Sequence, residues 1–369
     1  MALTENCCEK TSLISPAASK DEDWVAECLL YLHGNVLRVK TELSFKDRIG
    51  RIRARTSSFR MRYRVEPGLY AVGQPDEDSP VLVSANYKLS FDELRKELSE
   101  LNAWILIIDT DGINVWCAAG KGTFGTIEIV NRIRDVGLDK IVKHRRVILP
   151  QLGAPGVHAH LIKKATGFSV SFGPIYARDI KEYLRAGFKA TQDMRTVRFP
   201  LKARLVLTPM ELFPALKKFW LPMLIVIIFM GLRPQGILFR ELWQYGFPVI
   251  LISIISLLLG AFLVPLLLPY LPFRSFALKG LLVAAIFFGV SFPWMRQTLH
   301  NNLWILAAIY LLFTAFVSFL ALNFTGATTF TNISGVKKEL RISIPIYISA
   351  AVISGILIVV YKLTIWGLL

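Results

Sequence analysis

Paired cysteines are missing from this sequence. Its 369 residues include four cysteines, and no two of them form a CxxC pair. Without such pairs, neither an internal iron–sulfur cluster nor a zinc site can be recognised. Each cysteine therefore has to be interpreted alone, and the four are Cys7, Cys8, Cys28 and Cys117.

A cleavable signal peptide is not recognisable either. Acidic and polar residues such as Glu5, Glu9 and Lys10 occupy the amino terminus, where a signal would have an apolar core. We therefore expect the first half of the chain to remain in the cytoplasm. That compartment is reducing, so a lone thiol persists there.

A nucleic-acid interface is not indicated, although the formal net charge is +16. The sequence has no recognition-helix pattern, and most of its aromatic residues lie inside long apolar runs. Basic residues beside such runs typically face a cytoplasmic surface and anionic lipid. We therefore expect a lipid bilayer, and no nucleic acid, as a partner.

The long apolar runs lie in the second half of the chain. The mean hydropathy of +0.47 is high for a soluble protein, and the apolar residues concentrate after about residue 210. Each run approaches the ~20 residues that a helix needs to cross a bilayer. The pattern predicts an all-α transmembrane bundle of five helices, at about residues 214–232, 246–269, 277–295, 302–324 and 345–366.

The charges beside these runs predict the orientation of the chain. Basic residues are more frequent on one side of the runs, at Lys217, Lys218, Arg274, Lys279, Lys337, Lys338 and Arg341. This bias places the first half of the chain in the cytoplasm and the carboxyl terminus outside, in a multi-pass protein of the cell (inner) membrane. No charge lies deep within a run, which favours an anchor over a transport pathway.

The first half alternates between strand and helix patterns. Strands are predicted at 80–84, 103–108, 146–149 and 168–172, and helices at 90–101, 126–136, 157–165 and 179–186. Ser90 and Glu93 form a capping-box pattern at the start of the first of these helices. The alternation predicts an α/β domain with a Rossmann-like parallel sheet and flanking helices. The predicted organisation is a variable segment at 1–45, the α/β domain at 46–205 and the transmembrane domain at 206–369.

The sequence NVWCAAGKG, residues 114–122, follows the most apolar predicted strand through the turn 109–112. Ligands of open α/β sheets bind at the carboxyl ends of the strands. We therefore expect Cys117 to lie at a ligand crevice.

Four interpretations of this sequence are possible. A phosphate loop requires a glycine at the position of Val115, and a thiol nucleophile requires a histidine base such as His144, His158 or His160. Cys117 can also be a small core residue. Finally, if residues 114–121 are helical, Cys117, Gly120 and Lys121 share a face on which a thiolate can approach a flat, metal-centred ligand.

The octapeptide 114–121 resembles the cap-helix sequence of the HgcA family, the corrinoid proteins of microbial mercury methylation. The resemblance continues at 120–126 (GKGTFGT), 152–160 (LGAPGVHAH), 172–180 (FGPIYARDI) and 205–212 (LVLTPMEL), and the five apolar runs match in number and place. The domain is also similar to that of the corrinoid iron–sulfur protein of the acetyl-CoA pathway, which has threonine at the cap position. The first 45 or so residues lie outside the resemblance.

The resemblance implies a corrinoid, cobalamin or a related cobamide, held base-off with the Cys117 thiolate on cobalt. The implied cofactor-binding residues are Asn114, Val115, Trp116, Cys117, Ala118, Ala119, Gly120, Lys121, Gly122 and Thr123. The DxHxxG signature of many cobalamin enzymes is absent, so a histidine in that context is not the ligand.

The implied activity is corrinoid-dependent methyl transfer to Hg(II), with Cys117 as the catalytic residue. The implied partners are an HgcB-type ferredoxin-like iron–sulfur protein as electron donor and, for the methyl group, a methyl donor protein or the methyltetrahydrofolate pathway. Two alternatives stay open: a corrinoid methyl carrier with another acceptor, and a membrane transport or sensing protein with an α/β cytoplasmic domain.

Overall fold

The chain divides into two units, Met1–Arg198 and Phe199–Leu369, in the computed structural model. The structure describes residues 22–31, 34–234, 236–237, 239–241, 243, 246–299, 301–327 and 333–369. The sequence placed the boundary between these units at 205/206. Of the predicted variable segment, residues 1–21 lie outside the described residues, whereas residues 25–31 and 34–39 form strands of the first unit.

A seven-stranded mixed sheet forms the centre of the first unit. Its strands lie in the order β1-β2-β3-β5-β4-β6-β7. In chain order they are β1 (Val25–Tyr31), β2 (Gly34–Val39), β3 (Gly68–Val72), β4 (Val81–Ala85), β5 (Ala103–Ile108), β6 (Arg146–Leu149) and β7 (Ser169–Phe172).

The predicted Rossmann-like parallel sheet is confirmed for four neighbouring strands. β5, β4, β6 and β7 pair in parallel, and they are the four strands that the sequence predicted. The prediction missed β1, β2 and β3, and these strands make the complete sheet a mixed one. β3 pairs antiparallel with β5, and β1 forms an antiparallel hairpin with β2.

Helices cover both faces of this sheet. The helices of the first unit are α1 (Phe45–Thr56), α2 (Lys88–Glu97), α3 (Val115–Lys121), α4 (Thr126–Asp135), α5 (Leu138–Ile141), α6 (Ala159–Thr166) and α7 (Ile180–Arg185). α2 and α7 pack into one apolar core, whereas α3, α4 and α6 pack into the core on the other face. The four parallel strands therefore form a doubly wound sheet, whose switch point lies between β4 and β6.

The start of α2 differs from the prediction. The sequence predicted a capping box at Ser90, but the helix begins at Lys88 with Tyr87 at its N-cap, and no side chain caps it. The reason is a tertiary contact, because Lys88 is buried and bonded to carboxylates of α1 and α2. Because of this contact, Lys88 belongs to the first turn of α2, and the N-cap is Tyr87 instead of Ser90.

Four buried charges join α1 to α2, and we refer to Asp47, Lys88, Asp92 and Arg95 as the charge quartet. Lys88 Nζ lies 2.8 Å from Asp47 and 2.5 Å from Asp92, and Arg95 lies 2.7 Å from Asp47 and 2.8 Å from Asp92. Each cation therefore contacts both carboxylates. Such a closed arrangement offsets the desolvation of all four groups, which no single pair would do as well.

The second unit is helical. Its helices are α8 (Leu201–Gly231), α9 (Phe239–Glu241), α10 (Phe247–Leu258), α11 (Val264–Leu267), α12 (Phe276–Thr298), α13 (Leu303–Asn323) and α14 (Ile333–Ile365), and two short strands, β8 (Leu232–Arg233) and β9 (Gly236–Ile237), pair after α8. A π-helical turn, Leu259–Leu263, joins α10 to α11.

Five helices of the described residues are long and apolar enough to cross a membrane, as predicted. The first and last are longer than the predicted runs, because α8 begins at Leu201 and α14 at Ile333. Polar residues and prolines limited the apolar runs in the sequence, but they do not end these helices.

We predict that Asp92→Asn destabilises the first unit by about 3–5 kcal/mol, because it leaves two buried cations with a single carboxylate. The measurement is the urea dependence of protease resistance of residues 22–198 in the detergent-solubilised full chain. The matched control is Asp135→Asn, whose carboxylate is 61% exposed and 3.8 Å from Arg132. An exposed pair of this kind contributes about 0–1 kcal/mol, so equal effects of both variants would contradict the prediction.

The pKa of Asp47 predicts a loss of stability in acid. Burial by itself raises this pKa, but the hydrogen bond from Lys88 and the charges of Lys88 and Arg95 outweigh burial and lower the pKa to about 2. Ionised Asp47 therefore stabilises the fold above its usual pKa, and this contribution is lost as the pH falls from about 4 through 2. Asp47→Asn should flatten the pH dependence in this window. Parallel curves for both proteins would contradict the assignment.

Candidate functional site

Asn86 organises the turn that leads from the sheet to Cys117. It follows β4 directly, and its buried side-chain amide faces the residues that follow β5. Asn86 Oδ1 accepts from the backbone N–H groups of Thr110 and Gly112 at 3.1 and 2.9 Å, and Asn86 Nδ2 donates to Asp109 Oδ1 at 2.9 Å. The carboxyl ends of two parallel strands are thereby tied together.

The turn itself requires an unusual backbone. Asp111 and Gly112 both have positive φ, at 56° and 68°, which reverses the chain after β5. Asp109 Oδ1 also accepts from the backbone N–H of Asp111 at 3.0 Å. Short polar side chains and glycine tolerate this conformation best, which explains the composition of residues 109–112.

The turn leads into α3, so residues 115–121 are helical, as the fourth interpretation of the sequence required. Asn114 is its N-cap, and Asn114 Oδ1 accepts from the backbone N–H of Cys117 at 2.9 Å. At the other end, Gly122 adopts a left-handed conformation with φ of 86° and terminates the helix. Cys117 therefore lies in the first turn of a seven-residue helix that an asparagine side chain caps at its start and a left-handed glycine ends.

The ten residues of the implied site are continuous in the structure, but they differ in burial. Ala118 and Ala119 are buried in the core beneath α3, whereas Gly120, Lys121 and Gly122 are exposed. Cys117 is a free thiol and is half-buried. The remaining members are also half-buried, namely Asn114, Val115, Trp116 and Thr123.

A tight turn packs against α3, and most of it lies in the segment 152–160, for which the sequence analysis stated a resemblance but predicted no such contact. This 3₁₀ turn, Gln151–Gly156, follows β6 and packs against α3. A Cβ atom on Gly156 would lie 2.4 Å from the Phe124 carbonyl oxygen and 3.1 Å from Ala119 Cα, so only glycine allows this approach. The signal was present in the sequence as the two glycines of LGAPG, but the contacts that require them are with Phe124 and Ala119, about thirty or more residues earlier in the chain.

Gln151 is a second residue that the sequence analysis missed. It lies at the carboxyl end of β6, beside the switch point between β4 and β6. Its Oε1 atom is buried and has no hydrogen-bond partner among the described residues. A buried acceptor without a donor is costly unless a ligand or water supplies one, so this atom is suited to a ligand with amide N–H groups.

Three of the four interpretations find no support in this geometry. Gly120 and Lys121 lie at the carboxyl end of α3, whereas a phosphate loop precedes the amino end of a helix. Among the described residues, no histidine is hydrogen-bonded to Cys117, and His144 Nε2 is instead 2.9 Å from the Ser79 carbonyl oxygen. The buried residues of α3 are Ala118 and Ala119, so the half-buried Cys117 is not simply a core residue either. A single thiolate that approaches a flat ligand remains compatible with the structure.

Comparison with known proteins relates this region to corrinoid proteins. Residues 57–184, which contain α3 and its supporting turn, match the family described as CO dehydrogenase/acetyl-CoA synthase delta subunit. The corrinoid/iron-sulfur protein large subunit of Moorella thermoacetica is 34% identical over 125 residues, which is 33% of this chain and 28% of that protein. The acetyl-CoA decarbonylase/synthase complex subunit gamma of Methanopyrus kandleri is 33% identical over 122 residues, 32% of this chain and 26% of that protein.

The chain spans about a quarter of the length of these curated relatives. The similarity therefore concerns one domain. The first unit contains a domain related to the corrinoid/iron–sulfur protein of the acetyl-CoA pathway, and a region with five membrane-like helices follows it.

We predict that Asn114→Ala loosens α3, because the substitution removes the acceptor for the Cys117 N–H. Loss of such a cap costs about 0.5–2 kcal/mol, which corresponds to roughly 2- to 30-fold faster amide exchange in residues 115–121. Hydrogen–deuterium exchange of the full chain measures this effect. Asn302→Ala is a matched control, because Asn302 caps α13 in the same way. Unchanged exchange in α3 would show that Asn114 does not hold the helix.

Proposed function

We propose that this protein is a membrane-anchored corrinoid-dependent methyltransferase that transfers a methyl group to Hg(II) and forms methylmercury. The observation that carries the proposal is the position of Cys117. It is a half-buried free thiol on a short capped helix, at the ligand-binding edge of a domain related to corrinoid/iron–sulfur subunits. The resemblance of residues 114–121 to the mercury-methylation proteins supports Hg(II) as the acceptor.

The residues of the site fit a corrinoid in shape and donor chemistry. Gly120 and Gly122 carry no side chain and are exposed, so a broad planar ligand can approach α3 without collision at these positions. The buried Gln151 Oε1 is an acceptor suited to the carboxamide groups at the periphery of a corrin ring. We assign Asn114, Val115, Trp116, Cys117, Ala118, Ala119, Gly120, Lys121, Gly122 and Thr123 to the binding segment.

When bound, a corrinoid supplies a cobalt centre that can carry a methyl group. The role of Cys117 is to donate electron density to this metal as a thiolate, the form that a coordinating thiol adopts. A corrinoid held here would supply a methyl group of carbanion character to electrophilic Hg(II), and the Cys117 thiolate would favour that character. Asn114 and the turn 109–112 act on Cys117 indirectly, because they fix the helix that presents the sulfur.

The electrons for such a cycle come from outside the chain, which contains no CxxC pair. We propose an HgcB-type ferredoxin-like iron–sulfur protein as the donor, in keeping with relatives that are named as subunits of corrinoid/iron-sulfur proteins. The methyl source in this proposal is a methyl donor protein or the methyltetrahydrofolate pathway. We further propose a location in the cell inner membrane, with the first unit in the cytoplasm and the carboxyl terminus outside.

We predict that Cys117→Ala abolishes methylmercury formation and leaves insertion into the membrane unchanged, because the substitution removes only the thiolate. The measurement is anaerobic conversion of Hg(II) to methylmercury by membranes that carry each variant. Cys8→Ala is the matched control, because residue 8 lies outside the resemblance, and it should retain activity. Activity of Cys117→Ala above background would remove the thiolate from the mechanism.

An absorption spectrum tests whether Cys117 ligates cobalt, independently of whether the protein methylates Hg(II). Cys117→Thr should still bind a corrinoid, but its anaerobic absorption spectrum should lack the sulfur-to-cobalt signature of the unsubstituted protein. An identical spectrum would mean that Cys117 does not ligate cobalt. If the unsubstituted protein binds no corrinoid, a transport or sensing role is favoured. If it binds a corrinoid but does not methylate Hg(II), the methyl group has a different acceptor.

A further inference from the structure

The helix α1 presents large apolar side chains to the outside of the first unit. Phe45, Ile49 and Ile52 are 76%, 39% and 64% exposed, respectively. Their spacing of four and then three residues places them on one side of the helix. We refer to these three side chains as the outer face of α1.

The opposite side of α1 holds the helix on the domain. Asp47, Gly50 and Ala54 are buried, and Asp47 belongs to the charge quartet. A Cβ atom on Gly50 would overlap the ring of Tyr63, so the helix axis lies close against the domain at this point. Because the inner side is fixed in this way, α1 cannot rotate to bury its outer face.

Basic side chains lie on both flanks of the outer face. The helical repeat places Lys46 and Arg53 on one flank and Arg48, Arg51 and Arg55 on the other. Within the domain, Lys46 pairs with Asp23 and Arg51 with Glu93. Arg60, Met61 and Arg62 follow in an exposed turn. Between residues 45 and 64 the sequence contains eight Lys or Arg residues and one acidic residue, Asp47, which is buried in the quartet.

We propose that α1 lies in the headgroup region of an anionic bilayer, with its outer face among the upper acyl chains and its basic flanks at the lipid phosphates. A helix with an apolar stripe between two basic flanks is the form that binds parallel to a membrane surface. Five helices of the described residues in the same chain are long and apolar enough to cross a membrane, and their insertion would keep the first unit beside it. This surface is independent of the corrinoid site, because the family match begins at residue 57, directly after α1.

A lipid surface fits α1 better than an acidic protein does. Salt bridges to an acidic partner would account for the basic flanks, but they would leave Phe45 and Ile52 without an apolar counterpart. A bilayer supplies both components in the required order, since the acyl chains lie directly beneath a layer of phosphates. The amino-terminal segment 1–21 of this chain and an acidic ferredoxin are the competing occupants.

A photo-crosslinking experiment on the full chain tests the proposal. The amino acid p-benzoylphenylalanine replaces Phe45 in one sample and Ile127 in another, and the protein is reconstituted in nanodiscs of phosphatidylcholine with about 30% phosphatidylglycerol. Ile127 is a matched control, because it is 78% exposed on α4 and lacks the arginine-flanked stripe. We expect cross-linked phospholipid at position 45 and little or none at position 127.

Removal of basic charge should weaken this contact. Arg48, Arg60 and Arg62 are exposed, so their joint replacement by Gln should leave the fold intact. Each basic residue at an anionic surface contributes a factor of about five, so lipid cross-linking at position 45 should fall by at least about fivefold in the triple variant. A comparable decrease is expected in nanodiscs of phosphatidylcholine alone.

Four results would overturn the proposal. The first is equal lipid cross-linking at positions 45 and 127, and the second is no cross-link at position 45. The third is a cross-link from position 45 to residues 1–21 in place of lipid, and the fourth is a cross-link to a purified acidic ferredoxin added during irradiation. None of these results bears on whether Cys117 ligates cobalt, so the two proposals fail separately.

Discussion

The position of the thiol depends on one amide group, the side chain of Asn86. This side chain joins the carboxyl ends of β4 and β5, and it holds the turn whose two left-handed residues aim the chain into α3. Parallel strands bring their carboxyl ends to one edge in any doubly wound sheet, but that edge is a set of separate loops. The Asn86 side chain joins the loop after β4 to the loop after β5, and this connection determines where α3 places Cys117.

The α/β order from residue 80 onwards was predictable because buried strands and amphipathic helices have distinct apolar periods. The pairing of β3 was not, since the five residues Gly68–Val72 are wholly buried, and apolar composition does not tell an antiparallel strand from a parallel one. The start of α2 at Lys88 was also beyond local reasoning. Lys88 occupies the first turn without a side-chain cap because two carboxylates neutralise it, Asp92 on the same helix and Asp47 on α1, which is distant in sequence.

The candidate site was predictable in part for the same reason. The turn after β5, the cap at Asn114 and the stop at Gly122 are local signals, so the location of Cys117 followed from the sequence. Gly153 and Gly156 act through contacts across the sheet edge, whereas Gln151 is distinguished by a buried Oε1 atom without a hydrogen-bond partner among the described residues. A Cβ atom on Gly153 would lie 2.5 Å from the Phe124 ring, but the glycine itself resembles any other turn residue in the sequence. The role of such a glycine can be recognised only when the structure shows which residue packs against it.

The extent of the family match separates what this chain shares from what it adds. Residues 57–184 include the parallel strands, α3 and the supporting turn, whereas α1 and the apolar helices lie outside them. The shared part contains the candidate cofactor site. Most of the exposed large apolar side chains lie in the added parts, so these parts differ from the shared domain in the kind of environment that their side chains require.

The brevity of α3 has a consequence for attempts to transfer its chemistry. Seven residues span only about 10 Å, which is too short for an isolated helix to persist in water. A synthetic peptide with this octapeptide would be a random coil, and grafting it onto a different loop would not reproduce the orientation of the sulfur. Any minimal designed mimic must therefore import the neighbouring strand ends and the glycine-rich support together with the cysteine.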